Sequence, residues 1–224
     1  MSEPAKQNAA RAAVDLVEDG MRLGLGTGST AEFMLRALGE RVRAGLRVSG
    51  VPTSARSADL ARGLGIPITS LETTPELDLA IDGADEFDPA LNLIKGGGGA
   101  LLREKIVAAC AARFVVIVDA SKRVRRLGAF PLPVEIIAMA AAPLSRRIAA
   151  LGAEVSLRLG RDGRPFVSDE GHQILDCAFA EIADPSALAA RLDAMPGVVE
   201  HGLFCGMADL VLVGAEDRVE RLER

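Results

Sequence analysis

The chain has no tryptophan, no tyrosine and only seven phenylalanines. It therefore lacks the aromatic platforms on which proteins stack single-stranded bases. It also lacks an excess of positive charge. Its 26 Lys and Arg stand against 31 Asp and Glu, a formal charge of −5, which removes the footprint expected of a nucleic-acid binder. The three cysteines, Cys110, Cys177 and Cys205, are odd in number and far apart. They fit neither a disulfide framework nor a zinc pattern, and read as small buried hydrophobes of a reducing, cytoplasmic compartment. The two histidines, His172 and His201, have no partnered spacing and read as structural or surface residues, which leaves a catalytic zinc too few ligands. No apolar run is long enough to span a bilayer, and the opening MSEPAKQNAARAAVDLVEDG lacks the apolar core of a signal peptide. What is present is 224 residues, 49% of them hydrophobic, enough for one large domain or two modest ones.

Apolar periodicity divides the chain into alternating elements. Helices are expected over 5–19, 30–42, 54–65 and 99–113, and strands over 21–26, 47–51, 77–82 and 114–120, with a short extended piece at 66–70. Strand–helix alternation implies a doubly wound parallel sheet. Near Phe130 the pattern changes. Strands are expected at 132–137, 153–160, 165–169 and 172–179, helices at 144–152 and 185–197, and an extended piece at 198–204. Asp162-Gly163 is the hairpin signal between the second and third of these strands. This is the pattern of a small α+β unit of the split βαβ, ferredoxin-like kind. ADLVLVG at 208–214 is expected to return to the large sheet. The domain reading is 1–129 for a Rossmann-like catalytic domain, 130–206 for the small α+β domain, and 207–224 for the return.

Four polar motifs, GTGST (26–30), PTS (52–54), DGAD (82–85) and DASK (119–122), each follow an expected strand, and open parallel sheets bind ligands beyond the carboxyl ends of their strands. GLGTGST puts glycines ahead of a helix starting near Thr30, an anion site built from free N–H groups, with Ser29 and Thr30 adding hydroxyls. A dinucleotide fingerprint would need glycine where Ser29 stands, and a P-loop would need a lysine after Gly28, so a compact phosphate fits better. The alternative is a plain glycine turn capped by Ser29 and Thr30. DGADEFD places Asp82 and Asp85 at a strand end, where they can accept sugar hydroxyl protons; Glu86 and Asp88 are expected to face water. A magnesium site and a solvated acidic loop are the rival readings.

KGGGGALLREK (95–105) runs from the loop after DGADEFD into the helix expected at 99–113. Its glycines can form a nest for a developing oxyanion, and Lys95 brings positive charge to the same loop. Glu104, in the first turns of the next helix, can point back over that loop as a general base, or simply complement the helix dipole. A helix N-terminus would keep it ionised, as a base requires. Arg103 and Lys105 are expected on the solvated face. VDASK, the fourth motif, offers Lys122 just past a strand end as a point charge for phosphate or as a surface lysine. Arg123, Arg125 and Arg126 read as solvated.

Taken in order, GTGST, DGADEFD, KGGGGALLREK, VDASK, FPLPVEI, ILD (174–176) and PGVVEHGLF resemble ribose-5-phosphate isomerase of the A type, over residues 5 to 214. The resemblance implies a Rossmann-like domain with a smaller α+β domain inserted late in the chain, assembled as a homodimer or homotetramer. It implies interconversion of ribose 5-phosphate and ribulose 5-phosphate in the pentose phosphate pathway, with no metal and no organic cofactor. It makes Glu104 the proton acceptor. The substrate-binding segments it implies are Thr27, Gly28, Ser29 and Thr30; Asp82, Gly83, Ala84 and Asp85; Lys95, Gly96, Gly97 and Gly98; and Lys122. Catalysis would then rest on Glu104 with Asp82, Asp85 and Lys95, acting on a small sugar phosphate without nucleic acid or membrane partners. Two other classes share the glycine-rich α/β pattern. A sugar-phosphate-sensing repressor domain would need a DNA-binding segment, for which residues 1–20 are too short. A CoA transferase with a glutamate nucleophile would need a large CoA surface, and nothing in the sequence suggests one.

Overall fold

The computed structural model describes residues 3–224. In chain order the first half comprises α1 (Glu3–Val14), β1 (Arg22–Leu25), α2 (Ser29–Arg43), β2 (Ser49–Pro52), α3 (Ala55–Gly63), β3 (Leu79–Asp82), β4 (Glu86–Phe87), β5 (Leu93–Ile94), α4 (Leu101–Ala109) and β6 (Phe114–Asp119). The second comprises β7 (Leu132–Ile136), α5 (Ala141–Ala149), β8 (Glu154–Leu157), β9 (Gln173–Ala178), α6 (Pro185–Asp193), β10 (Val198–His201), β11 (Leu203–Phe204), β12 (Leu210–Gly214) and β13 (Val219–Glu223). The chain divides into two compact units. One is Met1–Ala84 with Arg103–Arg123 and Met207–Arg224; the other is Asp85–Leu102 with Val124–Gly206.

The first unit is built on a six-stranded sheet in the order β13-β12-β6-β3-β1-β2, parallel except for β13, which runs antiparallel to β12. Strands β3, β6 and β12 are buried along their whole length, as expected for strands covered on both faces. The α/β expectation holds, and 208–214 rejoins this sheet beside β6. Leaving β13 aside, the order is that of the flavodoxin-like doubly wound sheet, whose switch point lies between β1 and β3. The core beneath it gathers Leu23, Leu25, Met34, Leu38, Ile81, Val115, Ile117 and Leu212.

Element ends depart from the apolar pattern where polar groups intervene. Helix α1 stops at Val14 rather than Asp19, because Leu16 and Val17 turn more tightly onto Ala13 and Val14. The Arg41 guanidinium then takes the Val14 and Val17 carbonyls at 2.5 and 3.0 Å. The extended piece at 66–70 makes only one bridge, Gly50 to Ile68. Strands β4, β5 and β13 were not expected from the sequence.

In the second unit, β7-α5-β8-β9-α6-β10 fold into a four-stranded antiparallel sheet of order β10-β7-β9-β8. This is the split βαβ arrangement. Its core gathers Leu132, Val134, Ile136, Leu144, Ile148, Leu175, Cys177 and Leu192. A small three-stranded sheet, β11-β5-β4, completes the unit. The expected strand at 165–169 does not form. Asp162-Gly163 makes its turn, with Gly163 N–H on the Gly160 carbonyl at 3.0 Å, but pairing ends at the single bridge Leu159–Pro165. Pro165 has no N–H to extend a ladder. A second turn from Ser168 to Gly171 then carries the chain into β9, which becomes the partner of β8.

At the amino end of the large sheet, Arg22 and Asp78 clamp β1 to β3. The Arg22 N–H and Nε donate to one Asp78 oxygen at 2.7 and 3.0 Å, and Nη2 donates to the other at 2.7 Å. The Arg22 side chain, then its backbone N–H, hold the Asp78 carboxyl down at about 2. An Asp whose folded value lies below its unfolded value near 3.9 stabilises the fold above about pH 4, and that contribution is lost as pH falls toward 2. The pair is partly exposed, so its worth is modest. Asp78→Asn is expected to lower Tm by roughly 2–4 °C at pH 7 and to narrow that gap as the pH is taken below 4, which thermal denaturation across pH would measure.

Candidate active site

The ends of β1 and β3 meet through one carboxylate. Asp82, 3% exposed at the last position of β3, accepts the Thr27 N–H at 2.9 Å and the Gly83 N–H at 2.7 Å on the same oxygen, Oδ1. Gly26 permits this approach: a Cβ there would lie under 3.0 Å from both the carboxylate and the backbone of Asp82. The Thr27 hydroxyl turns into a hydroxyl cluster with Thr53, Ser54 and Ser57 at 2.7, 2.8 and 3.0 Å. Ser57 in turn donates to the Gly26 carbonyl at 2.8 Å. Both polar groups of Thr27 thus hold the loop in shape.

Beyond Thr27 the chain enters α2 through Gly28 at φ +106°, a conformation that glycine adopts without strain. No side chain caps this helix. The first-turn N–H groups at Ser29 and Thr30 are left as anion donors, reinforced by the macrodipole. Lys6 of α1, a residue the sequence motifs did not single out, donates to Ser29 Oγ at 2.7 Å and brings a cation to the same terminus. Only its spacing, one turn into an amphipathic helix, was visible beforehand. Lys122, partly buried, ends a short 3-10 turn that starts at Ala120 and is capped by Asp119, whose Oδ1 accepts the Ser121 N–H at 2.9 Å and its hydroxyl at 2.5 Å.

Glu104 is 6% exposed in the first turn of α4. With Asp82, Gly24, Gly26, Thr53 and Val107 it borders one closed gap in the packing of the first unit, too tight to admit a water. A buried carboxylate beside a strand-end aspartate has the disposition of a group that can exchange a proton with a bound ligand. Arg103 and Lys105, expected in solvent, are half-buried.

The other glycine motif belongs to the second unit. Lys95 is 2% exposed; its N–H donates to the Gly202 carbonyl at 2.9 Å and its Nζ lies 5.5 Å from the centre of the Phe204 ring. Gly96 to Gly99 form a turn closed by the Gly99 N–H on the Gly96 carbonyl at 2.9 Å, with Gly97 and Gly98 exposed at its corners. Asp85 accepts the Gly97 N–H at 2.7 Å. Glu86 and Asp88, expected in water, are instead 4% and 8% exposed. Glu86 accepts the Gly128 and Phe130 N–H groups at 2.8 and 2.5 Å, and Asp88 those of Ala90 and Asn92, both at 2.9 Å. Their burial follows from those donors.

Elsewhere, Asp193, Glu200 and His201 bring ligand atoms within 4.8 Å of one another. The His201 ring, however, accepts the Leu203 N–H at 3.2 Å through Nδ1 and meets Asp193 at 3.2 Å through Nε2, so both nitrogens are engaged within the protein. Burial, with Asp176 adding to it, pushes the Cys177 thiol up to about 12, which fits an inert core residue. Among the described residues no helix is long and apolar enough to cross a membrane.

An uncapped helix terminus and a buried carboxylate pair at the β1/β3 switch point are the features of an α/β protein made to hold a small anionic ligand. The chain matches the description "Ribose 5-phosphate isomerase A (phosphoriboisomerase A)" over residues 49–218, and it belongs to that family. It is 59% identical to ribose-5-phosphate isomerase A of Roseiflexus castenholzii, with 97% of this chain and 94% of that one covered. Among solved structures it is similar to ribose 5-phosphate isomerase A from Methanocaldococcus jannaschii, with a TM-score of 0.96 and 44% identity over the whole of both chains. It is equally similar to a D-ribose-5-phosphate isomerase in complex with phospho-erythronic acid, with a TM-score of 0.97 and 41% identity, again over both whole chains.

Because Asp82 occupies the space a side chain at position 26 would need, Gly26→Ala should force the carboxylate away from Thr27. Overpacking of this kind costs about 1–3 kcal/mol. We expect a lower Tm together with a fall in kcat/KM, measured by thermal denaturation and steady-state kinetics; an alanine variant with native stability and turnover would refute the close packing.

Proposed function

We propose that Glu104 is the general base of the reaction this enzyme catalyses. The chain is an aldose–ketose isomerase that interconverts D-ribose 5-phosphate and D-ribulose 5-phosphate, a step of the pentose phosphate pathway. In the open-chain aldose, Glu104 removes the proton from C2. Electrons move into the C1 carbonyl, and an enediolate forms. The O2 proton passes to O1, Glu104 returns its proton to C1, and the ketose is released. The observation that carries the base assignment is the burial of Glu104 against the same packing gap as Asp82, the last residue of β3.

The remaining roles follow from the chemistry each group offers. The N–H groups at the cap residue Gly28 and at Ser29 and Thr30 of the first turn, with Lys122 and Lys6, suit the phosphate. Thr27 keeps that loop in place. Asp82, Gly83, Ala84 and Asp85 take the sugar hydroxyls, and an aspartate assists ring opening. Lys95 and the loop of Gly96, Gly97 and Gly98, through N–H groups other than the Gly97 N–H that Asp85 holds, stabilise the enediolate oxygen. The solved relative with phospho-erythronic acid supports a ligand of this class, since that acid pairs a phosphate with a planar carboxylate resembling an enediolate. The enzyme works in the cytoplasm as a homodimer or homotetramer, without a metal or organic cofactor. The 89% exposure of Met139 and the 58% exposure of Leu159 and Val167 support a subunit contact, which sedimentation equilibrium would reveal as a mass above that of one chain.

The test is an isomerase assay with ribose 5-phosphate in the presence of EDTA, comparing the native enzyme with Glu104→Gln. Native turnover should be indifferent to EDTA. Glu104→Gln should lose about 10²–10⁴-fold in kcat with little change in KM, because the amide keeps the shape and loses the base. Near-native turnover in a folded Glu104→Gln enzyme would remove Glu104 from this role.

A further inference from the structure

Four successive glycines carry no side chains with which to fix their own turn, and glycine loses more backbone freedom on ordering than any other residue. A nest of N–H groups made from them needs support from elsewhere. Within the second unit that support is Arg158, just beyond β8. Its Nη1 donates to the Gly96 carbonyl at 2.9 Å and to the Gly97 carbonyl at 3.2 Å. The same guanidinium is locked from the other side by Asp176 of β9, the aspartate of the ILD motif. Nε reaches Asp176 Oδ2 at 3.0 Å and Nη2 reaches Oδ1 at 2.5 Å, the bidentate fork that fixes an arginine in plane as well as in place. The guanidinium carbon lies 5.9 Å from the centre of the Phe166 ring. That ring fills the space a side chain on Gly99 would take. The Arg158 side chain is only 13% exposed.

Peptide planarity converts these contacts into an orientation. In a trans peptide the C=O of one residue and the N–H of the next point to opposite sides. The Gly96–Gly97 peptide is therefore held at both ends, by Arg158 at its oxygen and by Asp85 at its N–H. The Gly97–Gly98 peptide is held by Arg158 at its oxygen, so the Gly98 N–H faces away from the guanidinium, at an exposed residue whose Cβ direction is open space.

We infer that Arg158, locked by Asp176 and Phe166, is a positioning residue that sets these two peptide planes and so aims the Gly98 N–H at the enediolate oxygen. This rests on the reading above that the glycine loop meets the reacting end of the sugar. Arg158 does not itself touch substrate. Its loss should weaken an interaction made in the transition state and leave ground-state binding of the phosphate nearly intact.

The experiment compares native enzyme, Arg158→Met, Asp176→Asn and Glu104→Gln in one assay, with folding checked by circular dichroism. Loss of a whole oxyanion donor costs about 10²–10³-fold, so loosening one should lower kcat by roughly 10–100-fold in Arg158→Met, with KM within about twofold of native. Phospho-erythronic acid should bind Arg158→Met more weakly by about the same factor as kcat falls. Asp176→Asn should show the same split to a smaller extent, and it decides the matter if Arg158→Met does not fold. The inference is overturned if either folded variant keeps native kcat, or loses activity through KM alone, while Glu104→Gln collapses. If Glu104→Gln also keeps its turnover, the fault lies in the assignment of the base.

Discussion

Asp82 carries the geometry on which the first unit's ligand-binding end depends. One oxygen of one carboxylate accepts the N–H that follows β1 and the N–H that follows β3, so two strand ends that the backbone ladder leaves open are joined beyond it. The join works only because position 26 has no side chain. It lies at the place where the order of the sheet reverses and the connections diverge to opposite faces. A crevice at that place is a consequence of topology. Its precise shape here is a consequence of Asp82.

The same device recurs through the acidic stretch that follows. All four carboxylates of DGADEFD accept backbone N–H groups: Asp82 from Thr27 and Gly83, Asp85 from Gly97, Glu86 from Gly128 and Phe130, and Asp88 from Ala90 and Asn92. These are charge-assisted bonds, roughly twice as strong as neutral ones. They organise loops that have little regular structure of their own. The composition of the segment looks catalytic, yet each of its acids orders backbone. Glu104, by contrast, is carried by a helix, α4, and is buried there.

Much of this was legible beforehand, for definite reasons. Residues 114–118 are apolar and all but Phe114 are β-branched, so they could only be a covered strand, and the helices of the first half carry clear apolar faces. GTGST, PTS, DGAD and DASK could be assigned to one end of a sheet because each follows a strand. What was illegible falls into three kinds. Two-residue strands such as β4 and β5 are shorter than any periodicity, and the charges of β13 disguise it as a solvated tail. Glu86 and Asp88 read as solvent-facing because charge is visible in a sequence and the N–H donors awaiting it are not. Lys6, Arg158 and Asp176 reach motifs 20 or more residues away through the fold, or across the turn between β8 and β9. ILD was recognisable as a pattern, but its purpose depends on an arginine just beyond the neighbouring strand, β8.

Strand β13 has a bearing on how this protein stays dispersed. It pairs with β12 along five residues, Leu210 to Gly214, each of them buried. Its own sequence, VERLE, turns Glu220, Arg221 and Glu223 outward and leaves only Val219 and Leu222 half-covered. A strand so short and so charged makes a poor template for a neighbouring chain. Without it, LVLVG would become the rim of the sheet, with a row of unsatisfied N–H and C=O groups flanked by aliphatic side chains and no charge among them. That is the composition of an aggregation nucleus. The final hairpin therefore acts as a selvedge: a bound edge that keeps a sheet rich in valine and leucine from fraying into its neighbours.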